Sequence, residues 1–106
     1  MIPRITQIAL LVRDYDEAII WFGQALGFVV LEDSDLGDGK RWVRVAPTAD
    51  AAFNLLLARA TNERQLAAVG NQHGGRVGFF LRTDDFWRDH ARLAAGGARI
   101  DGEPRE

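Results

Sequence analysis

The sequence predicts an α+β fold of paired βαβββ modules, the second incomplete at its C-terminus. Three observations carry this. Apolar, β-branched runs alternate with turn residues. An Asp-capped segment of helical period follows the first run. The same cap-to-glycine span then recurs: Asp14 to Gly27 and Asp84 to Gly97 are equal in length and offset by 70 residues. The 106 residues suit one domain with one core, and a hydrophobic content of 47% is enough to fill it.

The elements follow in order. Ile5 to Val12 reads as a buried strand with one polar residue inside it, Gln7. Asp14 is a helix N-cap, with Glu17 at capping-box spacing. Ala18, Ile19, Phe22, Ala25 and Leu26 recur at helical spacing up to Gly27, where a left-handed residue ends the helix. Phe22 and Leu26 are expected in the core. Phe28 to Leu31 is a short strand, and Asp35 to Lys40 a turn-rich connection in which Gly37-Asp38-Gly39 reads as a hairpin turn. From Arg41 to Ala46 the faces alternate: Arg41, Val43 and Val45 point one way, Trp42, Arg44 and Ala46 the other. Ala52 to Ala58 is an apolar strand with Asn54 its polar member.

Residues 1–58 thus form the first module and residues 59–74 a linker, with a short helix over Glu63 to Val69. Residues 75–106 form a partial second module: a strand at Arg76 to Leu81, a helix at Phe86 to Ala95 with Phe86 or Trp87 buried against a sheet, and a strand beginning at Ala98 to Ile100. The last two strands of that copy fall beyond Glu106. The chain is therefore expected to be a truncated piece, or else a neighbouring subunit covers its edge, since an open apolar sheet edge invites aggregation. A homodimer is expected on the same ground.

Composition narrows the function. The net charge is -2 with both signs interspersed, and no basic stripe recommends nucleic acid as a partner. The absence of cysteine excludes disulfides and thiolate metal sites. No apolar run approaches the roughly 20 residues of a membrane span, and Met1 to Arg4 do not read as a signal peptide, so a cytoplasmic protein without membrane partners is expected.

The segment IALLVRDYDEAIIWFGQALGF, with Asp14, Trp21-Phe22 and Leu26-Gly27-Phe28, resembles the opening of vicinal-oxygen-chelate domains, the superfamily of glyoxalase I, bleomycin-resistance proteins and extradiol dioxygenases. RVGFFLRTDDFWRDHARLAAGGARI resembles the start of that family's second module. The resemblance covers nearly the whole chain and implies sheets that curl into a half-open cavity. It also implies where metal-dependent members carry ligands. Gln7 falls on the first such position, where the family uses His and sometimes Gln. Asn54 falls on the second, where metal enzymes carry Glu. The third lies at Arg76, Val77 or Gly78, none of which is a metal donor, and the fourth falls beyond Glu106. Two neutral donors cannot compensate a dication, so neither metal nor any other cofactor is expected.

His73 reads as a solvated linker residue and His90 as a helix-boundary residue. Asp14, Asp16, Glu17, Asp84 and Asp85 are explained by helix starts. The candidate ligand-binding residues are Gln7, Asn54, Trp42 and Arg44, the last two able to stack on or pair with a bound molecule. No catalytic residue is identified. The leading reading is a superfamily protein binding a small organic molecule in its sheet cavity without metal, as bleomycin-resistance proteins sequester theirs. The alternative is a metal-dependent lyase, isomerase or dioxygenase of the glyoxalase type whose remaining ligands lie outside this chain. A third reading is a degenerate domain serving as an assembly module.

Overall fold

Residues 2–102 are described by a computed structural model. Asp14 sits in extended backbone, and its carboxylate accepts a hydrogen bond from the Glu17 N–H at 2.8 Å, which starts helix α1 (Tyr15–Leu26). Only half of the expected capping box forms. The Glu17 carboxylate takes a hydrogen bond from Arg13 at 2.6 Å, one helical turn away. Gly27 ends α1 with φ 68°, a conformation in which a Cβ would be strained.

The strands are β1 (Gln7–Val12), β2 (Val29–Gly37), β3 (Lys40–Ala46) and β4 (Asn54–Arg59). They form one sheet in the order β1-β4-β3-β2. β1 runs parallel to β4, across the α1 crossover, and the other pairs are antiparallel. β1 begins two residues later than the apolar pattern because its ladder begins only where Gln7 meets Asn54. β2 runs on past Leu31 to the hairpin, where Asp38 and Gly39 both adopt positive φ, the two-residue turn whose twist suits a hairpin.

The core lies between α1 and one sheet face. Val43, Val45, Leu55 and Leu57 meet Tyr15, Ala18 and Phe22, with Val12 closing one end. Phe22 is held by Trp21 edge-on at 5.1 Å and by Phe28 stacked at 5.7 Å. Leu26 is only half-buried, contrary to expectation, and Tyr15 takes a core place instead. The Tyr15 hydroxyl accepts a hydrogen bond from the Arg41 N–H at 3.2 Å, and its ring lies under the Arg41 guanidinium.

The second half corrects the sequence reading more strongly. The linker does hold a short helix, α2 (Glu63–Ala68), and α3 spans Phe86–Ala95 behind its Asp85 cap. Neither Arg76 to Leu81 nor Ala98 to Ile100 forms a strand. A strand exists only through its ladder, and among the described residues nothing pairs with these segments. For the same reason α3 rests on α1 rather than on a sheet, with Gly96 against Ala25. Trp87 is 53% exposed and Phe86 is half-buried, so neither is the buried anchor the sequence promised. Glu103 to Glu106, the end of the expected partial module, lie outside the described residues.

The start of α3 carries a hydrogen-bonded carboxylate, Asp89. Hydrogen bonds from Arg88 and then Thr83 hold the Asp89 carboxyl down at about 2, against an ordinary 3.8. A carboxyl depressed on folding contributes stability that is complete above its unfolded value and is lost as pH falls through the folded one. The first turn of α3 is therefore expected to loosen between about pH 4 and pH 2. Asp89→Asn should abolish that step in the exchange of the residue 89 amide, which donates to the Asp85 carbonyl, and an unchanged acid profile in the variant would refute the assignment.

Candidate functional site

The sheet has a second face that α1 does not cover. Directly paired residues project on the same side, and alternate residues share a side. Since Val43, Val45, Leu55 and Leu57 face α1, their neighbours face away. Gln7 pairs with Asn54, Arg44 with Leu56 and with Glu32, and Trp42 with Ser34. Gln7, Asn54, Trp42 and Arg44 therefore share the helix-free face, a placement the alternation of β3 had left open between its two sides.

Asn54 stands at the first rung of β4 and donates to the Thr6 carbonyl at 3.4 Å. Its Oδ1 is buried and has no hydrogen-bond partner among the described residues. A buried acceptor left unpaired costs stability, and with no exposed surface this oxygen meets a donor only if the side chain turns. Toward β2, the Arg44 Nε donates to Glu32 Oε1 at 3.0 Å, and the Ser34 hydroxyl donates to Glu32 Oε2 at 3.3 Å. Glu32 and Ser34 were missed in the sequence because β2 was ended at Leu31. Extending the strand to the hairpin glycine would have put both opposite the Trp42–Arg44 face.

A broad groove lies elsewhere. It measures about 1200 Å³ and runs between α1, the outer edge of β1 and residues 69–81, touching Asn54 but not Gln7, Trp42 or Arg44. Its walls are mainly apolar, among them Trp21, Phe22, Phe53 and Phe79. The Gln72 side chain closes the edge of β1, accepting from the Leu11 N–H at 3.2 Å and donating to the Leu11 carbonyl at 2.7 Å. Several residues of the segment 76–81, which forms no strand, line one side of it. Of the four residues on the helix-free face, only Asn54 reaches this groove.

The residues present do not fit a catalytic divalent metal. No group of three or more His, Asp or Glu side chains is clustered for a metal among the described residues. Gln7 and Asn54 are neighbours across one rung but offer only neutral amide oxygens. His73 is exposed in the linker, edge-on to Phe79, and His90 lies among Phe86 and Trp87 on α3. Neither histidine shares an element with the amide pair.

A family model described as "Glyoxalase/Bleomycin resistance protein/Dioxygenase superfamily" matches residues 4–106. An uncharacterized protein of Shewanella frigidimarina (strain NCIMB 400) is 47% identical over 103 residues, covering 96% of this chain and 76% of that protein. Among solved structures, TnmS3, an antibiotic binding protein from Streptomyces sp. CB03234, matches with 29% identity and a TM-score of 0.70, over 99% of this chain and 79% of that one. A glyoxalase/bleomycin resistance protein from the same Streptomyces strain matches with 28% identity and a TM-score of 0.66, over 97% and 82%. UcmS2, at 23% identity, has a TM-score of 0.79 over 100% and 84%, a likeness of fold.

Proposed function

The chain belongs to the glyoxalase/bleomycin resistance protein/dioxygenase superfamily, and from that premise we propose that it holds a small organic molecule on the helix-free face of its sheet without a metal. The observation that carries this is the Gln7–Asn54 rung, which the strand register sets on the same face as Trp42 and Arg44. The amides hydrogen-bond the ligand, Trp42 offers it a flat apolar surface, and Arg44 offers donors. The similarity to a solved antibiotic binding protein supports binding of a small molecule as the role.

Metal and ligand tests belong together. Protein prepared with added nickel, zinc, iron and manganese is expected to retain none of them stoichiometrically by elemental analysis, because two uncharged amides do not offset the cost of dehydrating a dication. Asn54→Ala and Gln7→Ala should each weaken binding of a responsive aromatic ligand roughly five- to tenfold, the scale of one hydrogen bond of about 1 kcal/mol, with the fold intact by circular dichroism. A near-stoichiometric metal that Gln7→Ala removes would overturn the proposal and favour a metal-dependent lyase, isomerase or dioxygenase.

In this reading residues 1–58 are a complete module, residues 59–74 a linker and residues 75–106 a partial second module, in a cytoplasmic protein. No helix among the described residues is long and apolar enough to cross a membrane. The exposed apolar side chains of the second half, Val77 at 68% and Phe80 at 87%, favour self-association as a homodimer. Sedimentation at tens of micromolar (roughly, given the interface sizes of stable dimers) should show the dimer, and a monodisperse monomer would count against it.

A further inference from the structure

We infer that Glu32 sets the charge preference of this face, and that the ligand it selects is an uncharged aromatic molecule carrying carbonyl or hydroxyl acceptors. The inference rests on the reading of the helix-free face as the ligand site. It starts from the charges that share that face. Gln7, Asn54, Trp42 and Ser34 are neutral. Arg44 is the cation in their midst, and Glu32 stands directly opposite it across the β2–β3 pair, 3.0 Å from its Nε. Both side chains are partly buried, 28% exposed for Arg44 and 40% for Glu32. The second Glu32 oxygen is occupied by the Ser34 hydroxyl, so the carboxylate is fixed from two sides.

Two opposite charges held this close leave a dipole whose field fades within a few ångströms. An anion reaching Arg44 meets the Glu32 carboxylate beside it, and a cation reaching Glu32 meets the guanidinium. Either ion would give up water for an attraction already largely satisfied, a poor exchange on a half-buried surface. A neutral acceptor does not bear that cost. The terminal Arg44 nitrogens have no hydrogen-bond partner among the described residues, so they offer N–H groups to a carbonyl or hydroxyl oxygen. Trp42, next on the same face, offers the stacking surface. Lys40 shares this side of β3 but lies at the hairpin tip, four residues from Arg44. That is roughly 13 Å along the strand, beyond the screening length of physiological salt.

The test uses three probes of one shape: 2-naphthylmethanol, 2-naphthoate and 2-naphthylmethylammonium, titrated by calorimetry with the indole resonance of Trp42 as a site reporter. The native protein should favour the alcohol over either ion by about tenfold, the ratio that 1.4 kcal/mol represents. Glu32→Gln uncovers Arg44 and should move the preference about tenfold toward naphthoate, the scale of one uncancelled and partly screened charge. Arg44→Met should move it by a similar factor toward the ammonium. The double variant, neutral again, should return to the alcohol and also shows that the single shifts are not consequences of misfolding. A native preference for either ion, or an order of affinities that Glu32→Gln leaves unchanged, overturns the inference while leaving the ligand site standing. Binding of none of the three probes overturns the ligand-face reading, and this inference with it.

Discussion

Leu57→Ala is expected to lower the free energy of unfolding by about 2–5 kcal/mol. Leu57 is 1% exposed at the centre of β4, packed with Val43, Val45 and Phe22 under α1. Removing its isobutyl group forfeits the transfer free energy and leaves a cavity that sheet and helix cannot both move to fill. A chain of this size holds only some 5–15 kcal/mol in total, so the loss is a large part of what exists. Denaturant titration measures it as a fall in midpoint at unchanged slope. A loss under about 1 kcal/mol would mean that the α1–sheet interface is not the main core. The exposed Trp42→Ala, on the opposite face of the neighbouring strand, serves as the control and should cost far less.

Gly96→Val is expected to detach α3 from α1. A Cβ at Gly96 would stand 2.6 Å from the Ala25 Cα and 2.7 Å from its nitrogen, backbone atoms of a buried residue in the last turn of α1 that would have to shift to admit it. The backbone of Gly96, at φ −81°, suits any residue, so the obstacle is space alone. Overpacking of this kind costs about 1–3 kcal/mol. Because an isolated ten-residue helix is marginal in water, α3 should unravel once it leaves α1. Amide exchange should show α3 losing protection while β1, β3 and β4 keep theirs. Gly97→Ala provides the contrast: the added methyl meets open space, and the penalty comes only from a φ of 94°. If Gly96→Val left α3 protected, the close approach of the two helices would be disproved.

The parts of the fold that were legible in sequence are those fixed by neighbours along the chain. Asp14 and Asp85 cap helices because their carboxylates reach N–H groups three residues on. Gly27 ends α1 because only local backbone geometry is at stake. The hairpin at Asp38-Gly39 follows from two residues that tolerate positive φ. Family membership was legible for a related reason, since it rested on an ordered series of such local signals. The second half was misread where the signal was local but the structure is not. Arg76 to Leu81 has the composition of a strand, yet a strand needs a partner whose hydrogen bonds lie outside the segment.

The candidate site divides in the same way. The sequence singled out Gln7 and Asn54 through the ligand positions that the family resemblance implies, and Trp42 and Arg44 as one face of an alternating strand. It also fixed the neutrality of the amide pair, which is a property of side chains and not of their arrangement. Only the tertiary structure decided that the four share one face, because that depends on the register Gln7–Asn54 and Arg44–Leu56 between strands distant in the chain. It alone set Glu32 opposite Arg44, and it alone left the Asn54 Oδ1 without a partner. Register is chosen by the simultaneous burial of Val43, Val45, Leu55 and Leu57 beneath α1. That cooperative packing across strands is not written in any one stretch of the chain.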